Sequence, residues 1–316
     1  MARAEGPPSS AAVQAARAWA GALGRLLLFG ILFVALVELI GALTFTLDAR
    51  GGWAVAKGGL IWLVAALAAG AIALRMLDGR SWRALGIAPD RAALRWAGVG
   101  TAFGVALLCI AVALMLASGD LMFARDTGTA ADAMGTMAWS LAVLAPAAMA
   151  EEAIFRGYPI QVLARVAGAP LAVLSTSAAF AAVHGDNPAV GPLALTNIFL
   201  AGVLLGVVYM KTASLWAATA VHLGWNWAMA GLFDLPVSGL GWIDVPRFEP
   251  WVVGPAWWNG GAFGPEGGVI GTICFVGGTV LVLRSTLFRR DPNAGPEERM
   301  LCDRSAAHVP RTAEIA

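Results

Sequence analysis

Charge is scarce in this sequence. Only 13% of its 316 residues are charged and 59% are hydrophobic, whereas soluble chains carry about 25% charged residues. That deficit excludes a soluble globular domain and points to an all-α polytopic membrane protein whose length fits one helical bundle. Cysteine is nearly absent: Cys109, Cys274 and Cys302 show no paired spacing, which argues against a disulfide framework and against a cysteine-based zinc site. They read as small apolar residues. A net charge of +1 suggests no nucleic-acid partner. The zinc-protease signature His-Glu-x-x-His is missing as well. So is a small-residue cleavage site after the first apolar run, which is too long for a signal-peptide core.

What is present is a series of apolar runs. They predict about eight transmembrane helices at 26–47, 58–77, 96–117, from about Met137 onward, 170–184, 192–210, 214–233 and 268–287. The divisions expected are a cytoplasmic tail over 1–24, the bundle over 25–290 and a disordered cytoplasmic tail over 291–316. The cluster Arg75, Arg80, Arg83, Arg91 and Arg95 marks an internal loop, and the Lys/Arg asymmetry places both termini in the cytoplasm. The stretch 170–184 is only about 22 Å long at 1.5 Å per residue, short of a hydrocarbon core of about 30 Å. A helix that ends inside protein is tolerated where its end is buried or lines a wet cavity. The fourth helix can run on past Pro159 to about Ala164 with a kink there. The loop 234–267 is rich in Trp, Gly and Pro and is expected at the outer surface of the bundle, where indoles favour the headgroup layer.

The fourth helix carries Glu151, Glu152 and Arg156, three ionisable groups where a spanning helix should have none. Each charge costs at least ~2.5–3.5 kcal/mol there, so such residues mark function. Four residues apart, Glu152 and Arg156 can pair on one face. Glu151 points about 100° away and finds no partner on its own helix. A lone carboxylate in an apolar setting suits a general base.

Two of the three histidines, His184 and His222, also fall in apolar runs. Phe180 and His184 stand four apart, as do His222 and Asn226, so each pair shares a helical face. Together with Glu151 these groups suggest water activation beside a scissile carbonyl. A carboxylate takes the proton, an imidazole orients the water, and further donors hold the oxyanion. Glu151, His184 and His222 are also a permissible zinc set. Their spacing on three separate helices does not demand one, and a site without cofactor is favoured, with zinc as the alternative.

The three motifs Glu-Glu-x-x-x-Arg at 151–156, Phe-x-x-x-His at 180–184 and His-x-x-x-Asn at 222–226 resemble, in order and setting, those of the CPBP family. These are CAAX proteases and bacteriocin-processing enzymes, intramembrane endopeptidases related to the Ras-converting CAAX endopeptidase. The resemblance covers 151–226 and implies a site built from the fourth, fifth and seventh spans. It implies Glu151 as general base, His184 as its partner on the water, and His222 and Asn226 at the oxyanion. Glu152, Arg156 and Phe180 would support the site or bind substrate. The implied partners are the lipid bilayer and a membrane-associated or lipidated peptide or protein. An Ala/Gly/Arg-rich chain without long soluble domains suggests a bacterial inner membrane. Two other classes compete: a non-proteolytic scaffold or immunity partner of the same fold, and a proton-coupled transporter. Transporters often show matching broken helices in paired halves, whereas the polar motifs here fall in spans four, five and seven only.

Overall fold

The computed structural model describes residues 10–290 and 300–303. Helices dominate: α1 (Ser10–Leu43), α2 (Gly52–Ala73) and α3 (Arg91–Ala117) are followed by α4 (Ala130–Glu152) and α5 (Tyr158–Ala167). Next come α6 (Ala169–Ala182), α7 (Pro192–Thr212), α8 (Leu215–Trp227), a single turn α9 (Ala256–Asn259) and α10 (Val269–Arg284). Among the described residues, five helical stretches are long and apolar enough to cross a membrane: Ser10–Leu43, Gly52–Asp78, Arg91–Ala117, Ala130–Ala167 and Pro192–Thr212. Apolar helices Ala169–Ala182 and Val269–Arg284 are shorter. Each apolar run read from the sequence is helical over most of its length. This is an integral membrane protein.

Residues 1–9 of the expected N-terminal tail lie outside the described residues. From Ser10 onward the chain is helix α1, continuous through Gly24 to Leu43; the Ala-rich stretch after Ser10 has high helix propensity and joins the apolar run with no proline between. At the other end, most of 291–316 lies outside the described residues. Residues 300–303, expected within a disordered tail, are packed. Met300 is buried, the Leu301 N–H donates to Gln161 Oε1 at 2.8 Å, and Arg290 pairs with Asp303.

The long span Ala130–Ala167 is not regular α-helix throughout, but the irregularity does not fall at Pro159. That proline sits in the first turn of α5, where its missing N–H is no loss. The irregularity is a π-helical turn, Ala153–Gly157, directly after the two glutamates. Such turns occur frequently at functional sites.

Helices α3 and α8 meet almost backbone to backbone. A side chain at Gly104 would strike the Val221 carbonyl, and one at Gly224 would strike that of Thr101. Small residues four apart, Gly100 and Gly104, allow this approach, and it seats the polar face of α8 deep in the bundle. On α7, Gly202 likewise lies against Ser177 of α6.

The segment 234–267 does not simply lie on the outer surface. Its strand β2 (Phe248–Val252) pairs antiparallel with β1 (Leu121–Arg125), but Phe263 and Glu266 are buried. Asn197 of α7 donates to the Glu266 and Gly268 carbonyls at 2.7 Å each. Burying a loop requires satisfied backbone groups, and Asn197 supplies donors that composition alone does not reveal.

Candidate active site

The last turn of α4 presents Glu151 and Glu152 on different faces. Glu152 points inward and is fully buried with Arg156, Nη1 to Oε1 at 3.1 Å. Arg156 also donates from Nη2 to the Gly202 carbonyl at 3.1 Å, using the gap that glycine opens between α6 and α7. The guanidinium lies over the Phe180 ring, 4.5 Å from its centroid. Phe180 thus packs a buried cation from α6, a contact worth more when desolvated.

A second partner of Glu152 comes from α8. His222 Nδ1 lies 2.9 Å from Glu152 Oε1, so one carboxylate oxygen joins the arginine to the imidazole. The other ring nitrogen, Nε2, lies 3.8 Å from Glu151 Oε2. Glu151 has no hydrogen-bond partner for Oε2 among the described residues, and its side chain remains 29% exposed. His222 therefore stands between the two glutamates. Sequence spacing pairs Glu152 with Arg156 and leaves Glu151 alone on its helix; the nearby imidazole comes from a helix 70 residues away.

His184 lies in the turn just beyond α6 rather than in its last helical turn, since the helix ends at Ala182. Its Nδ1 lies 2.7 Å from the Phe180 carbonyl, and its ring packs on Phe180 at 4.7 Å. Phe180 also meets His222 edge-on at 6.0 Å. One aromatic ring thus spaces both imidazoles.

Glu151, His184, His222, Asn226 and Phe180 line one cavity of about 440 Å³. Its remaining walls are mainly apolar: Phe33 of α1, Val55 and Trp62 of α2, Leu107 of α3 and Leu144 of α4. Arg156 and Glu152 sit behind this surface. Among the described residues, no three His, Cys, Asp or Glu side chains converge in an arrangement that could hold a metal ion. Glu151, His184 and His222 share the cavity without forming such a cluster.

Among the polar lining residues missed from the sequence are Ser238 and Glu266. Both come from the 234–267 segment, and Glu266 is 4% exposed. Burial pushes the Glu266 carboxyl above the usual carboxylate range, opposed by hydrogen bonds from Ser238 and Trp225. A single Glu among Gly and Pro carries no periodic signal, so no spacing rule could have found it.

Residues 133–228 match the family described as type II CAAX prenyl endopeptidase Rce1-like. The match contains all three motifs, bears out the CAAX-protease resemblance drawn from them, and stops short of Glu266. No curated protein and no solved structure matches the chain.

Proposed function

We propose that the protein, whose residues 133–228 match the type II CAAX prenyl endopeptidase Rce1-like family, is an intramembrane endopeptidase using glutamate-activated water. The observation that carries this reading is the convergence of Glu151, His184, His222 and Asn226 on one cavity within the bundle. Glu151 is the partly exposed carboxylate there, and it takes the proton of the attacking water. The Glu152–Arg156 pair holds His222 through Nδ1, which leaves Nε2 facing Glu151. With Nδ1–H donated to Glu152, Nε2 donates to the developing oxyanion in the doubly protonated imidazolium form, and Asn226, one turn further along α8, is the second donor in this reading. His184, fixed by the Phe180 carbonyl, orients the water from the other side. The apolar walls suit a membrane-associated or lipidated peptide. The reading includes eight spans with both termini in the cytoplasm of a bacterial inner membrane and no resident metal.

The test is cleavage of a membrane-tethered peptide by purified protein in lipid vesicles. Glu151→Ala or His184→Ala should lower the rate by roughly 10²–10⁴-fold, the usual contribution of a positioned acid–base group. Unchanged rates in either variant would overturn the assignment in favour of a binding protein of the same fold.

A further inference from the structure

Glu266 lies outside the family-matched segment and outside the three motifs, yet it reaches the same cavity. It sits in a tight turn, Pro265–Gly267, that leads into α10. Three donors converge on its carboxylate. Trp225 Nε1 approaches Oε1 at 2.9 Å, and Ser238 approaches Oε2 through its backbone N–H at 3.0 Å and its hydroxyl at 2.6 Å. A buried carboxylate is costly unless such partners surround it, so these groups are held together as a unit.

The two donor residues belong to different walls of the cavity. Trp225 immediately precedes Asn226 on α8. Ser238 lies in the 234–267 segment and also lines the cavity, and its carbonyl accepts from Asn187 Nδ2 at 3.0 Å. Asn187 in turn donates its backbone N–H to the His184 carbonyl at 3.2 Å. One chain of hydrogen bonds therefore runs from the Asn226 turn, through Glu266 and Ser238, to the turn carrying His184. No other contact from 234–267 joins both sides in this way among the described residues' side-chain hydrogen bonds to α8 and the post-α6 turn.

We propose that Glu266 is a positioning residue for the peptidase reaction, clamping the Asn226 turn of α8 to the turn that carries His184. It touches neither the water nor the scissile bond; it sets the distance between the groups that do. A misplacement of about 1 Å in such an arrangement can cost on the order of 10²-fold in rate. This inference rests on the endopeptidase reading above.

The kinetic test compares wild type with Glu266→Ala, Glu266→Gln, Trp225→Phe and the Trp225→Phe/Glu266→Ala double variant, each checked for folding. Glu266→Ala and Trp225→Phe should each lower kcat by roughly 10–10²-fold with KM within about threefold. Glu266→Gln keeps a carbonyl for Trp225 and an amide for the Ser238 hydroxyl, and should recover to within about tenfold of wild type. The double variant should be no slower than the slower single variant, because both remove one link of one clamp. Unchanged kcat, a loss confined to KM, or fully additive losses would overturn the clamp. Should Glu266→Ala fail to fold, Ser238→Ala removes one donor and carries the same expectation of a kcat loss. Amide hydrogen exchange over 235–240 reads the clamp without any activity. Faster exchange in Glu266→Gln, which leaves the Ser238 N–H without its carboxylate acceptor, supports it, and exchange identical to wild type refutes it. Inactive wild-type protein would count against the peptidase reading, while the exchange result would still decide the clamp.

Discussion

His222 Nδ1 and Glu152 Oε1 lie 2.9 Å apart, and that same oxygen faces Arg156 Nη1 at 3.1 Å. The contact joins α4 to α8 and leaves the second imidazole nitrogen facing Glu151. It divides the two adjacent glutamates by environment: Glu152 is fully buried with both partners on Oε1, whereas Glu151 is 29% exposed and borders the cavity.

Removing the cation from this array should be damaging. Arg156→Met would leave the Glu152 carboxylate buried with only the imidazole beside it, and breaking a buried pair costs about 3–5 kcal/mol. The expected result is a large fall in thermal unfolding temperature in detergent. Adding Glu152→Gln to Arg156→Met should recover much of that loss, because no unpaired charge remains, without recovering cleavage. Wild-type stability in Arg156→Met would show that the pair is not a structural element.

Metal-free chemistry makes a separate prediction. Activity should survive thorough chelation, and Asn226→Ala should lower turnover on the order of 10²–10³-fold with substrate affinity changed much less, as for loss of one oxyanion donor. One tightly held zinc per chain, with activity lost on chelation and restored by zinc, would show that the ion supplies the nucleophile instead.

Asp234 is predicted to make stability pH-dependent. Its carboxyl is pushed up from 3.8 to about 6, first by burial and further by Asp244, Glu249 and Asp126, against the donated Val245 N–H. With the folded value above the unfolded one, the folded state binds the extra proton, so stability falls as pH rises from about 4 to about 6. Asp234→Asn keeps an acceptor for Val245 and should unfold at a higher temperature than wild type at pH 7. The two curves should converge below about pH 4. A constant offset between them at every pH would refute this assignment.

Orientation is open to direct measurement. Reporter fusions at Gly86 and after the C-terminus should both report cytoplasm, and a fusion at Gly254 should report the outside. Opposite locations for Gly86 and the C-terminus would mean that the number of spans between them is odd.

Much of the helical architecture follows from sequence alone because a membrane helix must be locally apolar over its length. Runs such as 96–117 and 192–210 announce themselves through consecutive residues, and α3 and α7 lie there. The three motifs are legible for the same reason: Glu152 with Arg156, Phe180 with His184, and His222 with Asn226 are each one turn apart. A helical repeat is enough to pair them.

Other features depend on residues distant in the chain. The π-helical turn follows Glu152 instead of an irregularity falling at Pro159, and Met300 is packed; both turn on neighbours that no local pattern displays. His222 of α8 and Glu152 of α4 meet from 70 residues apart, and Gly104 and Gly224 let α8 pack closely on α3. Glu266 becomes part of the cavity because Asn197 holds its turn against α7 while Trp225 and Ser238 hold its carboxylate. The sequence by itself determined a helical membrane protein and which polar residues share a turn. The tertiary structure decided which turns face one another, since that depends on close packing between helices and on hydrogen-bond donors supplied from far along the chain.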